Sequence, residues 1–209
     1  MPLIEIASAY QREQLEALDL AREALARASR AEQRFLTHSV RPYLDFRRRV
    51  DDVLRDNFEE ICTSACYQSR RSACCSRDGI ITYWADGVIN VLNSTEDQLG
   101  QIHRRLASPH EGQKCLYLGP AGCLWQVRPI VCAMFLCDSA EQTVFKAHPV
   151  IKTHWDQLQE EKKKFTWPDR PVLFDDLEEW FLERGYHSSL MYMHTSPGLL
   201  RLKKKKSEN

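Results

Sequence analysis

The sequence predicts a mainly α fold, a helical bundle enclosing a cysteine-rich middle segment. Apolar residues recur at helical spacing in the front and the back of the chain, and 8 Gly and 9 Pro are few for 209 residues. All eight cysteines fall between Cys62 and Cys137. With 43% hydrophobic and 28% charged residues, the chain can bury a core without disulfide staples and does not have the composition of a disordered protein. Three segments follow: a helical front over 1–61, a cysteine cluster over 62–140, and a helical back with a basic tail over 141–209, together one compact unit.

Each element has its own reason. Leu15, Leu18, Leu25 and Ala28 give the front a thin apolar stripe on one long helix. Pro42 suits the first turn of a second helix, with His38 or Ser39 just outside it. That helix carries the stronger stripe Tyr43, Phe46, Val50, Val53, Leu54, Phe58 and Ile61, and runs into Cys62 and Cys66. Ile80 and Ile81 form a short strand or an extended link, and Thr82 is placed to cap a helix through Val91. Thr95 with Gln98 makes a capping box for the next helix, whose buried face is Leu99, Ile102 and Leu106. Pro129 suits the start of a short helix holding Cys132. Ile151, Trp155, Leu158 and Phe165 predict a helix over 149–164, and Pro168 and Pro171 break the chain. Asp175 and Asp176 sit in the first turn of a last helix with Phe174, Leu177, Trp180 and Phe181 on its apolar side and Gly185 at its end. Lys203 to Lys206 read as a solvated tail.

The cysteines form two groups, Cys62-x3-Cys66-x7-Cys74-Cys75 and Cys115-x7-Cys123-x8-Cys132-x4-Cys137. Each supplies four thiols, the number that a tetrahedral zinc site or a cubane iron–sulfur cluster requires. On a helix, a spacing of four puts Cys62 and Cys66 on one face. Cys137, five residues after Cys132, is off its face, so one of the two lies at a helix end or they serve different sites. Thiolate ligands accumulate negative charge, and Arg70, Arg71, Arg77, Lys114 and Arg128 are the nearby cations in sequence. A free cysteine also behaves as a small buried hydrophobe, and 131–136 alone reads as an apolar core helix. Eight cysteines in one stretch, two of them adjacent, favour metal over simple burial or redox disulfides.

The stretch K-C-L-Y-L-G-P-A-G-C-L-W-Q-V-R-P-I-V-C-A-M-F-L-C resembles the second half of the YkgJ-type cysteine-cluster family, described as a zinc- or iron-chelating domain. Cys115, Gly122, Cys123, Arg128, Pro129, Cys132, Phe135 and Cys137 fall on that pattern, and Cys62, Cys66, Cys74, Cys75 and the link to Thr82–Asp86 resemble its first half. The gap of seven residues before the doublet is longer than the family's usual one, so which cysteines share a site stays open. The resemblance implies chelation of zinc or iron; the eight cysteines are the candidate ligands, for an ion or for an iron–sulfur cluster. A similar cluster occurs within flagellin lysine methylases.

Other classes are bounded. Lys plus Arg and Asp plus Glu are both 29, which makes nucleic acid an unexpected partner and leaves a metal ion or cluster and a protein as the expected ones. The longest apolar run, 130–137, is too short for a bilayer, and the opening MPLIEIASAYQREQ lacks a signal-peptide pattern, so the expected setting is cytoplasmic, away from the membrane. No P-loop, dinucleotide fingerprint, HExxH or GxSxG is present, and Cys62-x3-Cys66 lacks the third close cysteine of a radical S-adenosylmethionine motif. Two alternatives accompany metal binding in a structural or redox role. One is a metal- or thiol-dependent enzyme related to the cluster-containing methylases, with His103 or His110 beside a thiol. The other is a helical interaction module with metal as scaffold.

Overall fold

The computed structural model describes residues 8–69, 74–77, 80–166 and 172–191. The chain is mainly α. In order come α1 (Ala9–Arg27), α2 (Arg30–Ser39), α3 (Arg41–Glu59), a π-helix (Glu60–Gln68), α4 (Trp84–Asn93) and α5 (Glu96–Leu106). The strands β1 (Leu118–Gly119) and β2 (Gly122–Cys123) follow, then α6 (Ile130–Ala133), α7 (Asp138–Ala147), α8 (Pro149–Thr166) and α9 (Leu173–Leu182). Among the described residues no helix is long and apolar enough to cross a membrane.

The front is not one long helix. Ala28 turns extended and Ser29 starts α2 with a capping box: its N–H donates to Glu32 Oε2 at 2.8 Å, and its Oγ accepts from the Glu32 N–H at 3.3 Å. The stripe on α1 is thin in leucine because alanine fills it. Ala17, Ala21 and Ala24 are buried beside Leu18 and Leu25, and α1 packs on α4 and α5. Pro42 does occupy the first turn of α3, but Ser39 does not cap it; its hydroxyl bonds back to the Phe35 carbonyl at 3.0 Å.

The main core joins all three segments. Tyr43, Phe46, Val50 and Phe58 of α3 meet Trp84, Val88 and Ile89 of α4, Trp155 and Leu158 of α8, and Phe174, Leu177 and Phe181 of α9. Phe58 is held edge-on by Phe145, and Trp84 by Phe181. Cys62 and Cys137 pack against this core. A smaller cluster gathers Leu18, Leu99, Ile102, Leu106, Leu116, Tyr117 and Trp125, with Cys115 at its margin. The Thr95–Gln98 box is present, and Gly185 follows α9 at φ +78°, a conformation that favours glycine. Thr82 does not cap α4. Its hydroxyl donates to buried Gln14 at 2.8 Å, and the Asp86 carboxylate takes the Tyr83 N–H at 3.0 Å instead. Ile80 and Ile81 are an extended link rather than a strand. Pro168, Pro171 and Lys203 to Lys206 lie outside the described residues.

Candidate metal centre

The eight cysteines come from six places in the fold. Cys62 and Cys66 sit on the π-helix, where backbone bonds run to the fifth residue and the turns are wider than on the α-helix the spacing predicts. Cys74 and Cys75 lie in the link after it. That link is tied to the segment before β1: Cys115 N donates to Cys75 O at 2.9 Å and Arg77 N to Gln113 O at 2.8 Å. Cys123 closes β2, opposite Leu118 of β1. Cys132 is inside α6, and Cys137 occupies the N-cap position of α7, so the later of that pair is the one at a helix end.

Two contacts bring the first group against the second. The Tyr67 hydroxyl reaches the carbonyls of Gly119 and Pro120, at 2.8 and 2.5 Å, in the turn between β1 and β2. Gly122, at φ +114°, lets that turn close. The backbone pairing of Cys75 with Cys115 is the second contact.

All eight cysteines are free thiols, and their charges act on one another. Burial pushes the Cys62 thiol up to about 11, and the neighbouring thiolates of Cys74, Cys137 and Cys66 add to the rise. Burial does the same to Cys115, to about 11, with Cys123 and Cys132 adding to it. Cys123 and Cys132 are raised by burial as well. Cys74 differs: the adjacent Cys75 thiol donates a hydrogen bond to it and holds it well below the ordinary thiol range, with Arg128 and Lys114 assisting. Cys75 is raised in turn, because it gives that bond, by its burial and by Cys74, Cys115 and Cys123.

Arg128 is the shared cation. It lowers the thiols of Cys62, Cys74, Cys123 and Cys132, while its guanidinium pairs with Asp51 of α3 at 2.9 Å. The sequence marks Arg128 as a cation near the thiols, and its ion pair with Asp51 comes from long-range packing. Arg70 and Arg71 lie outside the described residues. His103 faces Asp19 at 3.5 Å, and His110 bonds the Lys114 carbonyl at 2.7 Å, so both histidines are engaged with groups other than thiols.

Three buried side chains, to none of which the sequence reading gives this role, hold the 127–130 segment ahead of Cys132. Asn90 of α4 bonds both backbone groups of Val127. Asp86, one turn earlier, accepts from Ile130 N at 3.2 Å, and Arg47 of α3 donates to Arg128 O at 2.5 Å. Asp86 and Asn90 were visible in sequence as two polar residues four apart within the apolar run of α4.

Among the described residues no three or more His, Cys, Asp or Glu side chains form a group that could hold a metal ion. The donor chemistry nonetheless suits a soft or borderline cation. Mutual repulsion and burial penalise the thiolates, and a cation among them removes both penalties. No family model matches the chain, and no curated protein or solved structure matches it.

Proposed function

We propose that the protein binds zinc or an iron–sulfur cluster through thiolates of Cys62, Cys66, Cys74, Cys75, Cys115, Cys123, Cys132 and Cys137, in a structural or redox role. One observation carries the reading: Cys75 and Cys115, one from each group of free thiols, share a backbone hydrogen bond of 2.9 Å, which joins the segments that carry the two groups. The resemblance to the YkgJ-type family supports the choice of zinc or iron. Bound zinc would cross-link the segments, and a cluster would add one-electron chemistry. A reducing compartment such as the cytoplasm keeps such thiols free for metal.

The test is anaerobic purification of the full chain, metal and sulfide analysis, and a visible spectrum. Zinc without colour assigns the structural site; iron with acid-labile sulfide and a broad visible band assigns the cluster. A metal-free protein that binds neither on reconstitution refutes the proposal.

A further inference from the structure

We infer that the outer face of α2 and the start of α3 dock an acidic helical segment of a partner protein. Arg30, Arg34, His38 and Arg41, with Gln33 and Thr37, line an open hollow of about 750 Å³. Arg30 and Arg34 stand one turn apart on α2, and Arg41 opens α3 beside them in the lining of the hollow. All three are exposed, and among the described residues none of them is in an ion pair. The arginines around them are committed: Arg22 to Glu96, Arg27 to Glu23, Arg48 to Asp45, Arg49 to Glu161 and Arg55 to Asp52.

Two features make this face unfinished. Of its ten residues, α2 buries only Leu36, and a helix that short is marginal without packing. Arg30 opens α2 and Arg41 opens α3, where the positive ends of both helix dipoles already lie. Cations there work against their own helices, and an anionic partner offsets that. Gln33 and Thr37 spend their side chains on the Leu25, Ala28 and Gln33 carbonyls, which leaves the cations to face outward.

The partner's chemistry follows from the donors. Guanidinium forks match carboxylates in pairs. A helix carrying Glu at every fourth position repeats its carboxylates at the one-turn spacing of Arg30 and Arg34. Phe35, 62% exposed beside the row, offers the apolar contact that an amphipathic helix supplies and a bare polyanion does not. The chain's zero net charge gives no general field to hold a nucleic acid.

The experiment is fluorescence anisotropy of the full-length protein, as purified, with a labelled alanine-based helical peptide bearing Glu at every fourth position and a row of Leu. The same peptide with Gln for Glu and a labelled oligothymidylate serve as comparisons. The Glu peptide should bind, weaken as salt rises, and lose about tenfold or more affinity for the triple variant Arg30→Gln/Arg34→Gln/Arg41→Gln. The charge-reversed variant Arg30→Glu/Arg34→Glu/Arg41→Glu should instead capture a Lys version of the peptide, which shows that its surface is still folded. Absence of binding by the Glu peptide, equal binding by the triple variant, or tighter binding of the oligothymidylate through these arginines would overturn the inference.

Discussion

The side-chain amide of Asn90 completes the backbone of Val127. Its Nδ2 donates to Val127 O at 2.8 Å, and its Oδ1 accepts from Val127 N at 2.9 Å. Asn90 is fully buried, and the same Nδ2 also meets the Asp86 carbonyl one turn back. A fixed helix thereby sets the path of the segment that carries Arg128 and, through Ile130, Cys132.

Asn90→Ala leaves both Val127 groups without their partner, and such groups cost about 1–3 kcal/mol each when buried. Urea unfolding should show a loss of roughly 2–4 kcal/mol. Asn90→Asp aims a carboxylate oxygen at the Val127 and Asp86 carbonyls in a fully buried site, so its loss at pH 7 should exceed that of the alanine variant and shrink as pH falls. Equal losses would mean that packing rather than pairing holds Val127.

Asp86 gives a pH dependence. Burial raises its carboxyl from 3.8 to about 6, against the pull of the Tyr83 and Ile130 N–H groups and the Arg47 charge. The folded state therefore holds this proton more tightly than the unfolded chain does. Between about pH 4 and 6 the unfolded state binds fewer protons, so stability from this group falls as pH rises and is flat above. Wild type should lose roughly 2–3 kcal/mol across that window relative to Asp86→Asn, which has no such titration. Parallel stability profiles for the two proteins from pH 4 to 7 would contradict it.

In the metal-free protein, Cys74 should alkylate fastest of the eight, with a half-maximal pH below that of an ordinary thiol, about 8.5. The Cys75 hydrogen bond is the largest cause and Arg128 a smaller one. Cys75→Ala should therefore move the midpoint upward further than Arg128→Ala, and Cys75→Ser, which retains a donor, should move it less than the alanine change. Mass spectrometry of iodoacetamide-labelled peptides across pH gives the order. An Arg128→Ala shift larger than that of Cys75→Ala would assign the effect to charge instead.

How much of this was legible depends on the kind of signal. The helices of Tyr43, Phe46 and Phe58, of Leu99 and Ile102, and of Phe174 and Phe181 follow from periodicity, because burial of one face decides them. The α1–α2 break was written as Ser29-x-x-Glu32, a local signal overshadowed by an apolar stripe that seemed continuous. Helix α7 was missed because the 138–147 segment buries only Ala140 and Val144, too little for a visible stripe. Thr82 looks like a cap by residue type, yet Gln14, 68 residues away in sequence, claims its hydroxyl. The Arg47, Asp51 and Tyr67 contacts to the cysteine segments likewise depend on long-range packing, which spacing along the chain does not encode.

Metal removal should unfold the protein unevenly. The π-helix has no fully buried residue, so burial offsets little of the roughly 1–2 kcal/mol of backbone entropy that each ordered residue costs. Ile61 and Cys62 rest half-buried on the main core, and Tyr67 ties the far end to the turn between β1 and β2. Thiolates on one ion supply roughly 10–16 kcal/mol in small zinc domains, ample to order such a stretch. By contrast, α3 buries Tyr43, Phe46, Val50, Val53 and Phe58, and α9 buries Phe174, Leu177, Trp180 and Phe181, with no cysteine in either. Chelator treatment followed by hydrogen exchange should release protection first over 62–69 and 115–137, while 43–59 and 174–182 keep theirs. The π-helix should exchange before 127–130, because Asn90, Asp86 and Arg47 hold that segment without metal. Equal protection with and without chelator at every position would make the cysteines ordinary packing residues and remove the basis for a metal centre.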